Sequence, residues 1–275
     1  MISFREHDYA RDELTQLKKI MLKASHQVQL QKDGYSIIEN VLSKRQVADV
    51  RQRLVLAAQE SERRGVPTYI EGLDPNERNV RVFNLMDLDP IFLELIQHPL
   101  AIATAEFLMG HDFIISNFTA NIAKPGSGSM KIHSDLSIVL PEPWLEPWSL
   151  NIIWCLDDVT KDNGGTRFLP GSHRFQRLSE VPRDIADRMT AFEAPAGSVI
   201  AMDGRVWHTS GKNVTTDQER ALLFGYYSRA FIRPQWNHSV GLSQASQRDL
   251  SPRMQHWLGL GVSANIAPLR GLEDR

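Results

Sequence analysis

Residues Ser198-Val199-Ile200-Ala201-Met202-Asp203-Gly204-Arg205-Val206-Trp207-His208 set two short apolar runs on either side of an Asp-Gly pair. Asp-Gly accommodates positive φ, so the stretch predicts a hairpin between two strands. Further candidate strands lie at 113–123, 149–156, 166–169, 198–202 and 221–229. They are broken by Pro125-Gly126-Ser127-Gly128, Asp162-Asn163-Gly164-Gly165, Pro170-Gly171 and Pro195-Ala196-Gly197. Short apolar segments cut by turn residues are the texture of an all-β core.

Upstream of Gly110 the period changes to that of helices. Leu14, Leu17, Met21, Leu22 and Val28 predict a helix over 11–30, and Val47, Val50, Leu54 and Ala58 predict one over 43–64, capped by Ser43 and stopped at Gly65. Another is expected from Pro90 to Met109, and Asp33-Gly34 predicts a turn into a short strand at Tyr35-Ser36-Ile37-Ile38. The whole is expected to be mainly β with flanking helices: a double-stranded β-helix (jelly roll, cupin-like) buttressed by N-terminal helices. The expected organisation is one domain over 1–275, with a helical part at about 1–110, a jelly-roll core at about 111–232 and a C-terminal extension at about 233–275.

With 31 basic and 33 acidic residues the net charge is −2, which argues against nucleic acid or an anionic membrane as partner. The basic residues between Lys44 and Arg64 are interleaved with Asp49, Glu60 and Glu62, as on a solvated helix face. Cys155, the sole cysteine, sits in an apolar run and reads as a packed thiol in a reducing compartment. The N-terminus has no apolar leader, no run is expected to span a membrane, and Glu273-Asp274-Arg275 is no peroxisomal address. The expectation is a cytoplasmic protein acting on a small molecule; self-association into a homodimer stays open.

His133-Ser134-Asp135 places an imidazole and a carboxylate two residues apart, so on a strand both leave one face. Roughly 0.6 such triplets are expected by chance from this composition, so the pair alone decides little. His208 after the Asp-Gly turn and Arg220 twelve positions later change its weight. Two histidines and a carboxylate form the facial triad of non-haem iron(II) enzymes, and a guanidinium can clamp a carboxylate with two hydrogen bonds.

These residues, with Asp33-Gly34-Tyr35 and the run from Leu156 to His173 that contains Asn163-Gly164-Gly165-Thr166 and Pro170-Gly171-Ser172-His173, resemble the phytanoyl-CoA dioxygenase family of iron/2-oxoglutarate oxygenases. The likeness extends to about Arg229. It implies Fe(II) on His133, Asp135 and His208, 2-oxoglutarate held by Arg220 and Thr166, and O2 as oxidant. Arg81 looks like the arginine that some relatives bring to the co-substrate from the N-terminal part. Met130 departs from relatives that carry glutamine there, and Asn121 is a candidate for the missing polar contact. His173 is structural by the same likeness. A retained Asp135 points to oxygenation, because halogenating relatives have a small residue at that position.

The implied reaction oxidises an apolar small molecule by hydroxylation, desaturation, epoxidation or rearrangement, and releases succinate and CO2. A secondary-metabolite intermediate is the favoured substrate, ahead of an acyl-CoA or an amino acid, because no basic patch awaits a nucleotide phosphate. Trp144, Trp148, Trp154 and Phe231 are candidate pocket walls, and the proline-rich stretch 141–148 a candidate cover. A zinc hydrolase and a non-catalytic jelly-roll binding protein are the alternatives from other classes.

Overall fold

The computed structural model describes residues 22–260. Helix α1 (Ala24–Asp33) stops at Gly34, whose φ of 83° lets its N–H return to Leu30 O. Strand β1 (Tyr35–Ile38) follows, then α2 (Lys44–Arg63), opened by a capping box in which Ser43 and Gln46 satisfy each other's backbone N–H. Next come β2 (Asn79–Val82), α3 (Leu85–Leu88), α4 (Pro90–Ile96), α5 (Pro99–Met109), β3 (Phe113–Ala123) and β4 (Ser149–Cys155). The chain continues through β5 (Arg167–Phe168), α6 (Ile185–Arg188), β6 (Thr190–Ala191), β7 (Val199–Asp203), β8 (His208–Thr209) and β9 (Arg220–Arg229). It closes with α7 (His238–Gly241), α8 (Gln244–Arg248) and α9 (Pro252–Trp257).

Three expectations about the helical part change. The helix predicted over 11–30 is described only from Ala24, runs on to Asp33, and has its first half outside the described residues. The helix predicted over Pro90–Met109 is two, because Pro99 cannot donate a backbone hydrogen bond and the His98 ring caps the new start at Leu100 N. This stretch is also long and apolar enough by composition to cross a membrane, contrary to the sequence reading. Its Phe92, Leu95, Ile96, Leu100, Ala101, Ala105 and Met109 are nevertheless buried in the core.

All paired strands are antiparallel and form a six-stranded sheet, β1-β7-β4-β9-β3-β2, and a three-stranded sheet, β6-β5-β8. Alternation divides the large sheet into two faces. Phe118, Ala120 and Ile122 of β3, Leu150, Ile152 and Trp154 of β4, and Ala221, Leu223 and Tyr227 of β9 join the helices in the main core. Ile153, Cys155, Ile200, Met202 and Leu222 join Phe168 and Phe192 in a second core. Burial pushes the Cys155 thiol up to about 12, so it packs as a neutral apolar group.

Asp203-Gly204 makes a tight turn, with Val206 N donating to Asp203 O at 2.9 Å, but it is not a hairpin. Strand β7 pairs with β1 and β4, whereas β8 pairs with β5, so the turn carries the chain from one sheet to the other. Gly204 N donates to Ser149 O at 2.9 Å, and a Cβ at Gly204 would overlap the Ser149 hydroxyl. The turn is fastened to two others. Asp203 N donates to Gly34 O at 2.8 Å and Gly171 N to Asp33 O at 2.9 Å, while His173 Nε2 lies 3.1 Å from Gln31 O. His173 is therefore a buried structural residue. Gly204→Ala should destabilise the fold by about 1–3 kcal/mol, the usual cost of overfilling a tight site. Urea unfolding followed by circular dichroism checks this; an unchanged midpoint would show that Ser149 yields freely.

Candidate active site

The two candidate histidines, far apart in sequence, are cross-strand partners. His133 N donates to His208 O at 3.0 Å and His208 N to His133 O at 2.8 Å. That exchange sets both side chains on one side, with ring centroids 4.4 Å apart. Asp135 is not on a strand as expected but opens a short 3-10 turn, Asp135–Ile138. Ser134 between them is extended, so the carboxylate still returns to the side of His133. The Ser134 hydroxyl and Leu136 N both donate to Gly204 O at 2.9 Å, which binds this arm to the crossover turn.

Tautomers are set by the backbone. His133 Nδ1 lies 2.8 Å from Lys131 O and His208 Nδ1 lies 2.9 Å from Val206 O. With Nδ1 donating, each Nε2 keeps its lone pair. These nitrogens stand 3.8 Å and 3.9 Å from Asp135 Oδ1, and the three donor atoms lie within 4.8 Å of one another. Burial lowers the His208 pKa, which favours the neutral ring that a metal requires. Asn151 on β4 donates to Asp135 Oδ2, leaving Oδ1 to face the histidines. A neutral nitrogen pair with one carboxylate oxygen is a donor set that iron(II) accepts.

A cavity of about 160 Å³ opens over this triad and is lined also by Arg81, Asn121, Thr166 and Arg220, so all seven candidate residues meet. Arg220 opens β9 and is 1% exposed. Its guanidinium donates to Gly164 O at 2.7 Å and Asn121 Oδ1 at 3.3 Å, its Nε has no partner, and no carboxylate lies within ion-pair distance among the described residues. Burial lowers its pKa to about 10, so it stays charged at neutral pH. Arg81 is already spoken for: Asp74, fully buried, holds it at 2.8 Å, and Met130 Sδ takes a further contact at 3.5 Å.

The four aromatic walls named from sequence do not line this cavity. Trp154 is buried on the helix side of β4, and Trp144 packs with Leu136 and Trp207 while its Nε1 donates to Val139 O. Trp148 meets the exposed Phe231 edge-on at 5.3 Å. Phe224 and Tyr226 of β9 line the cavity instead, together with Asn117 and Thr119 of β3 and Asn151. Their signal in the sequence is the alternation Asn117-Phe118-Thr119-Ala120-Asn121: polar residues two apart on a strand otherwise apolar.

Two antiparallel sheets thus bring together a His-Asp-His cluster that could hold a metal ion and a buried arginine, as an oxygenase site would require. Residues 30–221 match the family described as phytanoyl-CoA dioxygenase, and the chain belongs to that family. It is 46% identical over 234 residues to the dioxygenase af480 of Aspergillus fumigatus, covering 85% of this chain and 76% of that protein. It is 28% identical over 253 residues to the multifunctional dioxygenase ausE of Aspergillus calidoustus, covering 84% of this chain and 81% of that protein. With the multifunctional dioxygenase prhA of Penicillium brasilianum it shares 26% identity over 255 residues, 85% and 81% of the two chains.

Asn151→Ala should weaken Mn(II) binding by roughly tenfold to a hundredfold, the usual consequence of freeing a ligand's supporting hydrogen bond. Calorimetric titration measures it, and undiminished affinity would remove Asn151 from this role.

Proposed function

We propose that this protein is an Fe(II)- and 2-oxoglutarate-dependent dioxygenase that oxidises an apolar small molecule, with a secondary-metabolite intermediate as the expected class. In this reading the two sheets are the walls of a double-stranded β-helix, residues 22–260 serve one catalytic centre, and His133, Asp135 and His208 are the iron ligands. The observation that carries it is Arg220. A guanidinium kept charged in a buried cavity, with no carboxylate partner among the described residues and its Nε free, calls for an anionic ligand. The distal carboxylate of 2-oxoglutarate meets that need.

Bound together, iron and 2-oxoglutarate supply the oxidising chemistry: O2 is reduced, 2-oxoglutarate is split to succinate and CO2, and a substrate C–H bond is oxidised. The protein's residues bind and orient. Arg220 anchors the distal carboxylate with Thr166 beside it, and Asn121 holds the guanidinium in place. Arg81, neutralised by Asp74, closes the wall next to Met130 and adds a fixed dipole rather than a free charge. Asn151 holds Asp135 Oδ2, leaving Oδ1 facing the His133 and His208 nitrogens with which it would hold the metal. Apolar Phe224 and Met130 keep water from the reacting region.

The test is succinate release from 2-oxoglutarate in the presence of Fe(II) and a panel of metabolites. Arg220→Leu should raise the Michaelis constant for 2-oxoglutarate by about 10- to 100-fold, the worth of a charge-assisted hydrogen-bonded pair. An unaltered constant would refute the anchor. Asp135→Ala should abolish turnover in the pure, metal-reconstituted variant; unchanged succinate release would show that the iron sits elsewhere.

A further inference from the structure

Strand β3 is interrupted by a bulge between Ile115 and Asn117, where its register with β9 shifts by one residue. A bulge re-aims the side chain beside it, and here Asn117 turns into the cavity. The segment after β9 is strapped to the same bulge. Gln235 N donates to Ser116 Oγ at 2.9 Å, Trp236 N to Ser116 O at 3.2 Å, and His238 Nε2 lies 2.9 Å from Ile115 O. The Trp236 ring packs on Phe83 at 5.2 Å. This strap delivers Gln235, itself exposed, to the rim of the cavity, where its Oε1 accepts from Asn117 Nδ2.

The pair leaves polar capacity unspent. Asn117 is 7% exposed and its Oδ1 is a buried acceptor without a partner. One amide–amide hydrogen bond leaves one carbonyl oxygen and one NH2 free, whichever way the two amides are turned. Both groups are neutral, and neither cavity arginine is at hand as a free cation. Arg220 reaches Asn121, four residues along β3 or ~13 Å away, and Arg81, opposite Asn121 on β2, is held by Asp74.

Register places Asn117 relative to the triad. Asn117 and Asn151 both pair with Tyr226, from the two sides of β9, so they share one row of the sheet, about two strand spacings or ~10 Å apart. Asn151 in turn holds Asp135. A group bound at Asn117 is thus level with the metal ligands but several bonds removed from a carbon beside them.

We propose that Asn117 and Gln235 form a substrate clamp that selects an apolar molecule carrying a neutral hydroxyl remote from its reacting carbon; this rests on the oxygenase reading above. A hydroxyl donates to the free amide carbonyl and accepts from the free NH2 at once. A ketone or ether can only accept, a carboxylate cannot donate and meets no free cation, and a hydrocarbon leaves Asn117 Oδ1 unpaired.

The experiment uses matched probes: menthol, p-menthane and p-menthane-3-carboxylate. The absorption band formed when Fe(II) and 2-oxoglutarate bind the wild-type protein without oxygen is recorded first; its absence sinks the oxygenase reading and this inference with it. Given the band, menthol should stimulate succinate release with at least tenfold lower half-saturation than either other probe. Gln235→Leu, at an exposed position that does not threaten folding, and Asn117→Leu should each raise that half-saturation tenfold or more without weakening the response to p-menthane. The clamp alone is overturned if wild type ignores menthol, if the hydrocarbon or carboxylate matches it, or if Gln235→Leu keeps the wild-type response.

Discussion

A strand offers its side chains alternately to two sides, and nearly everything in this protein depends on how β9 uses that rule. Ala221, Leu223 and Tyr227 go to the helices, where the Tyr227 hydroxyl finds Ile96 O. Arg220, Leu222, Phe224 and Tyr226 go to the other side, three of them into the cavity. One strand thereby anchors the core and furnishes the site, and β3 and β4 on either side repeat the division with Asn117, Thr119 and Asn121, and with Asn151. The rigidity of the helix-packed face is what allows a buried charge to be held on the other.

The site is held by hydrogen bonds that leave specific atoms free. Backbone carbonyls take one nitrogen of each histidine, Asn151 takes one oxygen of Asp135, and Gly164 and Asn121 take two of the Arg220 donors. What remains unpaired is directional: two imidazole nitrogens, one carboxylate oxygen and part of a guanidinium. Metal-ligand atoms and a guanidinium left unpaired around one cavity are the physical mark of a candidate binding site. The crossover at Asp203-Gly204 couples this arrangement to the fold, because the Gly204 carbonyl receives two bonds from the arm that carries Asp135.

Much was legible in the chain because local rules carried it. The punctuated apolar runs, the cap at Ser43 and the stop at Gly65 act over a few residues, and the strands predicted at 113–123, 149–156, 166–169, 198–202 and 221–229 and the helix predicted over 43–64 are present within a residue or two. The His-x-Asp pair, His208 and Arg220 were legible as a set, and the family match to residues 30–221 agrees with the resemblance they carry. The errors share a cause as well. Trp144, Trp148, Trp154 and Phe231 were assigned to the cavity by their chemistry, but an aromatic residue serves a core as readily as a pocket, and only the face of its strand or the course of its loop decides.

The amino-acid order alone was enough for most element types, the candidate metal-ligand residue types and the buried cysteine, since period, turn chemistry and composition act locally. Whether Asp203-Gly204 joins two strands of one sheet or passes between sheets depends on pairings with Tyr35–Ile38 and Arg167–Phe168, far away in the chain. Tertiary structure likewise made His133 and His208 cross-strand partners, gave Asn151 its hold on Asp135, spent Arg81 on Asp74 and brought Gln235 back to Asn117. Except for Arg81 and Asp74, which lie seven residues apart, each of these joins segments distant in the chain, so no local pattern could encode it.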